Sequence, residues 1–123
     1  MREERMADEV RRKVEIAWLM AFYGGMLTDK QREVLTLHCE EDLSLAEIAQ
    51  EAGVSRQGVH DMLSRSAQRL FDMEEKLGAA ARFRRMSEGL EECRALLREK
   101  RYDEAEGVID TLIRIDQEEN NGL

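Results

Sequence analysis

Proline is absent from these 123 residues, so nothing forces a break inside a helix. Aromatic residues make up only 5% of the chain, and no alternating run of β-branched residues suggests a strand. The two cysteines, Cys39 and Cys93, lie in different segments without C-x-x-C spacing. That argues against a disulfide framework and for free thiols. His38 and His60 are the only histidines, and neither has Cys, Asp or Glu partners at metal-ligand spacing, so no metal and no cofactor is expected. Also missing are a nucleophile–base pair and a glycine-rich phosphate loop, which leaves no basis for reading the chain as an enzyme. The longest apolar stretch, around Ile16 to Phe22, is too short to cross a bilayer. The first residues, MREERMADEVRRK, are charged and hold no apolar signal core, so a cytoplasmic protein without a membrane span is expected.

A basic excess is lacking too. The formal net charge is −8. Residues 28 to 70 set five basic side chains (Lys30, Arg32, Arg56, Arg65, Arg69) against eight acidic ones. Nucleic-acid binding draws on Lys and Arg that displace phosphate counterions, so any such affinity has to be local and weak without a partner.

What the chain does contain is helix. Ala, Leu, Glu and Arg, all good helix formers, dominate it. The most informative stretch is SLAEIAQEAGVSRQGVHDMLSRSAQRL, residues 44 to 70. Ser44 and Glu47 have capping-box spacing, and Leu45, Ile48, Ala49 and Ala52 repeat at helical intervals. Gly53 suits the left-handed turn that ends a helix. Val54 can bury itself in that turn, and Ser55 suits the cap of a second helix. Val59, Met62, Leu63 and Leu70 form the inward stripe of that helix, which leaves Arg56, Gln57, His60, Asp61 and Ser64 outward. This is a helix-turn-helix, the unit that places its second helix in the DNA major groove. The alternative use of the same shape is packing or partner binding.

Around this unit, Val10, Val14, Ala17, Trp18, Ala21 and Phe22 predict a first helix over residues 7 to 23, ended by Gly24-Gly25. Thr28, with Gln31 at the capping-box position, starts a second, whose buried face is Val34, Leu35 and Leu37-His38. Glu40-Glu41-Asp42 reads as a solvated loop, with cation binding the alternative. The expected domain covers residues 1 to 77. A helical extension follows over 78 to 118, with Phe83, Met86, Leu90, Cys93, Leu96 and Leu97 as one stripe. Ala105, Val108, Ile109, Leu112, Ile113 and Ile115 form another, with Asp103 as a plausible cap. An antiparallel hairpin with a tetratricopeptide-like Tyr-Asp-Glu-Ala turn and one long helix both fit. Such stripes need a covering surface, either the first domain or a second copy, and a homodimer is expected. Residues 119 to 123 read as a disordered polar tail. Arg82, Arg84 and Arg85 are the one compact basic cluster, read either as an RNA or phosphate patch or as a solvated helix face.

Several of these residues carry a family resemblance. FYGGMLTDKQ at Phe22 to Gln31, then DLSLAEIAQEAGVSRQGVHDMLSR and a Glu/Leu-rich C-terminal segment, resemble the YlxM family. These are small all-α bacterial helix-turn-helix proteins similar to region 4 of sigma factors. The resemblance covers roughly residues 10 to 115. It implies a non-enzymatic link to the signal recognition particle pathway, through the particle's RNA, its GTPase or both. It also implies that Ser55, Arg56 and Gln57 open the recognition helix, with His60, Asp61, Ser64 and Arg65 next outward. His60 stands where the family usually carries an aromatic, and keeps a ring able to stack. A sequence-specific transcriptional regulator is the alternative. It would place Arg56 and Gln57 on base edges, with Arg65 or Arg69 on phosphates.

Overall fold

The computed structural model describes residues 1–121. Its backbone is all-α: α1 (Arg2–Tyr23), a 3-10 turn (Gly24–Met26), α2 (Asp29–Cys39), α3 (Leu45–Ala52), α4 (Arg56–Leu77), α5 (Ala79–Arg98) and α6 (Tyr102–Asn121). Two compact units divide the chain, Met1–Gly78 and Ala79–Leu123. The tail expected at 119 to 123 runs past the described residues.

In the first unit the helix ends follow local chemistry. Thr28 and Ser44 each close a reciprocal capping box, with Gln31 and Glu47 as partners. Ser55 Oγ accepts from the Gly58 N–H at 3.0 Å. Each satisfies backbone donors that the first helical turn leaves open. Gly53 ends α3 at φ 71°, the left-handed region, where the N–H groups of Gly53 and Val54 both reach the Ala49 carbonyl. Lys30 adds a tie that its position in the sequence does not suggest: its Nζ donates to the Ala52 carbonyl at 2.9 Å, joining α2 to the end of α3.

α2 packs on α1, α3 and α4, and α1 and α3 each pack on α4. Val34, Leu37, Ile48, Ala52 and Val59 form one buried cluster, flanked by Leu43, Ala49, Val54, Met62 and Leu63. Tyr23 Oη donates to Glu74 at 2.6 Å, tying the end of α1 to α4. Lys13 holds Asp42 of the loop before α3, so one acid of the expected solvated triplet is ion-paired. That ion pair keeps the Asp42 carboxyl below its ordinary pKa. Burial, with Lys13 nearby, lowers the pKa of His38, and burial raises that of the Cys39 thiol.

The stripe expected on α1 needs correction. The helix starts at Arg2 rather than residue 7. Ile16, Leu19 and Tyr23 are buried, whereas Val10, Val14 and Ala21 are exposed and Trp18 and Phe22 half-buried. The two apolar sets lie side by side on the helix, and α2 and α4 cover the set of Ile16, Leu19 and Tyr23. On α4, Ser66 and Ala67 join the buried arc, small enough to admit a neighbouring helix. Leu45, assigned to the inward stripe of α3, is 39% exposed.

The second unit is a helical hairpin, not one long helix. α5 ends in a Schellman closure: Lys100 N–H reaches the Leu97 carbonyl and Arg101 N–H the Leu96 carbonyl, with Lys100 left-handed at φ 61°. Asp103 lies in the first turn of α6 and not at its cap, where its charge suits the helix dipole. The seam between the helices buries Cys93, Leu96 and Ala105, with Val108 against them. Cys93 Sγ contacts the Ala105 carbonyl at 3.8 Å. Gly89 permits the closest approach, since a Cβ there would come within 2.4 Å of Leu112. Only part of each expected stripe is buried. Phe83, Leu90 and Leu97 on α5, and Ile109 and Ile113 on α6, remain exposed, as does Tyr102.

Candidate nucleic-acid interface

The turn at Gly53 and the cap at Ser55 project the first turns of α4 from the body of the unit. Arg56, Gln57, His60, Ser64 and Arg65 are all exposed. Positions advance by about 100° per residue around a helix, so Gln57, His60, Asp61 and Ser64 share one outward face. Arg65 flanks it on one side and Arg56 on the other. Ser55 differs from the rest, because its hydroxyl is engaged as the cap. Gln57, His60 and Ser64 can therefore meet one surface together, with Arg56 and Arg65 at its two edges.

Two features temper the face. Gln57 Nε2 donates to Asp61 at 3.1 Å, and Gln68 Nε2, one helical turn beyond Ser64, repeats the pattern to Asp72 at 2.9 Å. His60 Nδ1 lies 3.7 Å from Asp61. Asp61 thus holds Gln57 extended along the helix and places a negative charge on the face, between Gln57 and Arg65. Gln57 keeps its carbonyl oxygen and one N–H for a base edge. The charge of Asp61 repels phosphates and leaves attraction to Arg56 and Arg65.

Two residues join this neighbourhood beyond those read from the sequence as its outward face. Gln68 lies on the same face as Gln57, three helical turns on, and its i to i+4 spacing to Asp72 was a readable signal. Arg12 comes from α1 and shares with Ser64 a crevice of about 130 Å³, also lined by Ile16, Leu35, His38, Leu63 and Ala67. Its guanidinium sits 5.4 Å from the centre of the Phe71 ring, a cation–π distance. Nothing in the sequence brings residue 12 to residue 64; only the packing of α1 on α4 does.

The arginine cluster behaves differently. Arg82 and Arg84 are about 200° apart around α5, so they point to opposite sides. Arg85 lines an open groove on the hairpin with Glu88, Glu92 and Glu104, carboxylates that disfavour a phosphate. Arg82 and Arg85, three residues apart, share a side of α5, and Arg84 is turned away from Arg82.

No cluster of His, Cys, Asp and Glu among the described residues could hold a metal ion. No helix among them is long and apolar enough to cross a membrane. The cysteines are free.

A capped helix pair around a left-handed glycine, with an exposed polar second helix, defines a helix-turn-helix protein. Its family is shown by comparison. Residues 10–108 match UPF0122, described as "Putative helix-turn-helix protein, YlxM / p13 like", and the chain belongs to that family. A UPF0122 protein of Desulforamulus reducens is 45% identical over 83 residues, covering 68% of this chain and 71% of the relative. One from Symbiobacterium thermophilum is 44% identical over 82 residues, 67% of this chain and 77% of its own. One from Clostridium botulinum is 48% identical over 65 residues, 53% of this chain and 60% of its own.

Proposed function

We propose that this protein is a non-enzymatic nucleic-acid-binding accessory of the signal recognition particle pathway, using its helix-turn-helix to bind the particle's RNA and, with it, its GTPase. The observation that carries the binding reading is the exposed face of Arg56, Gln57, His60, Ser64 and Arg65 on the first turns of α4. Its polar groups can hydrogen-bond base edges and phosphates, and the His60 ring can stack on an unpaired base. The assignment to the pathway rests on membership of the YlxM-like family. The charge of the molecule favours an assisted binder over a solitary DNA reader. The chain carries −8 overall, and Asp61 lies on the face beside Gln57, so counterion release from duplex DNA is small.

A sequence-specific transcriptional regulator is the second reading, favoured by the exposure of Arg56 and Gln57 where a recognition helix meets base edges. Either reading takes two copies of the chain, because one helix with so few cations binds weakly. Titration of the purified protein at near-physiological salt separates them, with labelled particle RNA, promoter DNA and the particle's GTPase as targets. Binding to RNA or GTPase, with only weak non-specific DNA binding, is expected. Tight promoter binding that survives competitor DNA would replace the accessory role with the regulator.

A further inference from the structure

Leu90 and Leu97 of α5 are 59% and 48% exposed, and Tyr102, Ile109 and Ile113 of α6 are 61%, 42% and 50% exposed. The spacing from Leu90 to Leu97, and from Tyr102 to Ile109, is one heptad, the repeat that keeps a stripe facing a partner helix. These five residues form one face. On each helix the exposed stripe lies about 80° from the seam, turned in the same sense. Two right-handed helices running antiparallel then bring those stripes to the same side of the hairpin. The opposite side is the groove lined by Glu88, Glu92, Glu104 and Gly107.

We propose that this apolar face is a self-association surface, on which a second copy of the chain docks with its α6 over α5 and its α5 over α6, making a four-helix bundle. The inference rests on the two-copy reading given above and specifies its interface. Charge selects the occupant. Outside the apolar stripe on α5 lie Arg94 and Arg98, with Glu91 paired to Arg94 and leaving that rim with a net positive charge; outside the stripe on α6 lie Asp103, Glu106 and Asp110, all exposed. One hairpin thus carries a basic rim along one edge and an acidic rim along the other, complementary to each other. Two hairpins meeting face to face have two possible two-fold axes in the interface plane. An axis across the helices sets like rims together. An axis along them sets each basic rim against an acidic one, and it is the arrangement that like-charge repulsion leaves.

The same axis preserves height along the bundle. Cys93 lies beside Ala105 and Gly89 beside Leu112 across the seam, so Arg94 of one copy comes level with Glu106 of the other, and Arg98 with Asp103. Leu90 comes level with Ile109, and Leu97 with Tyr102. Arg94 pairs with Glu91 within its own copy, a surface contact that leaves donors for a second carboxylate. A face two helices wide and about 20 residues long offers roughly 600 Å² per copy, close to the ~800 Å² per partner of stable interfaces.

Sedimentation velocity on the full chain across the micromolar range tests this, with circular dichroism to verify helix content. The wild type is expected to be a dimer. Leu90→Glu with Ile109→Glu should be monomeric with unchanged helix content, because both side chains lie outside the seam. Arg94→Glu should weaken the dimer by roughly tenfold, and adding Glu106→Arg should restore it. A dimeric wild type whose Leu90→Glu/Ile109→Glu variant stays dimeric overturns this interface and leaves the two-copy reading standing. A wild type that is monomeric throughout overturns both. Loss without rescue in the charge-swap pair overturns the pairing of α5 with α6.

Discussion

The helix-turn-helix unit and the C-terminal hairpin are built from the same helix-forming residues, yet they finish differently. In the first unit, α2, α3 and α4 start on side-chain caps, and the cluster around Ile48 and Val59 is closed on all sides by neighbouring helices. In the second, two helices meet along one seam and leave Leu90, Leu97, Ile109 and Ile113 in the open. A two-helix hairpin has only one helix to offer as cover, and units this small rarely bury enough surface to stand alone. The contrast teaches that the helix-turn-helix unit closes its core within one chain while the hairpin does not. One is specified by its own contacts, and the other leaves one apolar face exposed.

The sharpest way to break that comparison is a matched pair of truncations. Ile48→Ala, at a fully buried position, should cost about 2–5 kcal/mol, read as a fall in thermal midpoint independent of protein concentration. Leu90→Ala should cost the isolated chain under about 0.5 kcal/mol, with any larger loss appearing only as concentration-dependent stability. Equal, concentration-independent costs would show that the hairpin face is covered within one chain. Next in size, Gly53→Val should destabilise the first unit by about 1–3 kcal/mol. No atom lies within 4 Å of the Cβ position, so the cost is backbone strain at φ 71°, and an unchanged midpoint would mean that the turn relaxes.

Direct contact with nucleic acid should map to the first unit. Arg56→Ala with Gln57→Ala should leave folding intact and reduce nucleic-acid affinity by about 1–3 kcal/mol; unchanged affinity would remove α4 from the interface. Lys100→Gly is the counterpart in the hairpin. It relieves a left-handed lysine and should stabilise by about 1 kcal/mol, seen in denaturant midpoints, with a null result meaning that the Schellman turn is unstrained.

The smallest effect concerns pH. Burial first, then Lys13, hold the His38 pKa below the ordinary 6.5, against Glu9 and Asp42, which raise it. The unfolded chain therefore takes up a proton before the folded one does, and stability falls as pH drops below 6.5. Denaturant unfolding at pH 7.5 and 5.5 should show this loss, and His38→Gln should reduce it. A variant with the full wild-type slope would assign the loss to other groups.

Much of this architecture was legible in the sequence, and the legible parts are local. Thr28–Gln31, Ser44–Glu47, Gly53 and Ser55 act within one turn of backbone, so their spacing alone sets helix starts, the left-handed stop and the exposed first turns of α4. Membership in a helix-turn-helix family was carried by the same residues. Tertiary structure decided what local chemistry leaves degenerate. On α1 two apolar sets lie side by side, and only the positions of α2 and α4 bury Ile16, Leu19 and Tyr23 in preference to Val10 and Val14. Arg12 reached Ser64 through that packing, while Arg84 was turned away from Arg82, its neighbour in sequence, by the pitch of α5. The hairpin's stripes had a period but no assigned neighbour, and Gly89 against Leu112 determined which half became the seam. A helical period fixes which residues share an arc. Which part of a wide arc meets another surface depends on where the other helices stand, and that is a property of the assembled fold.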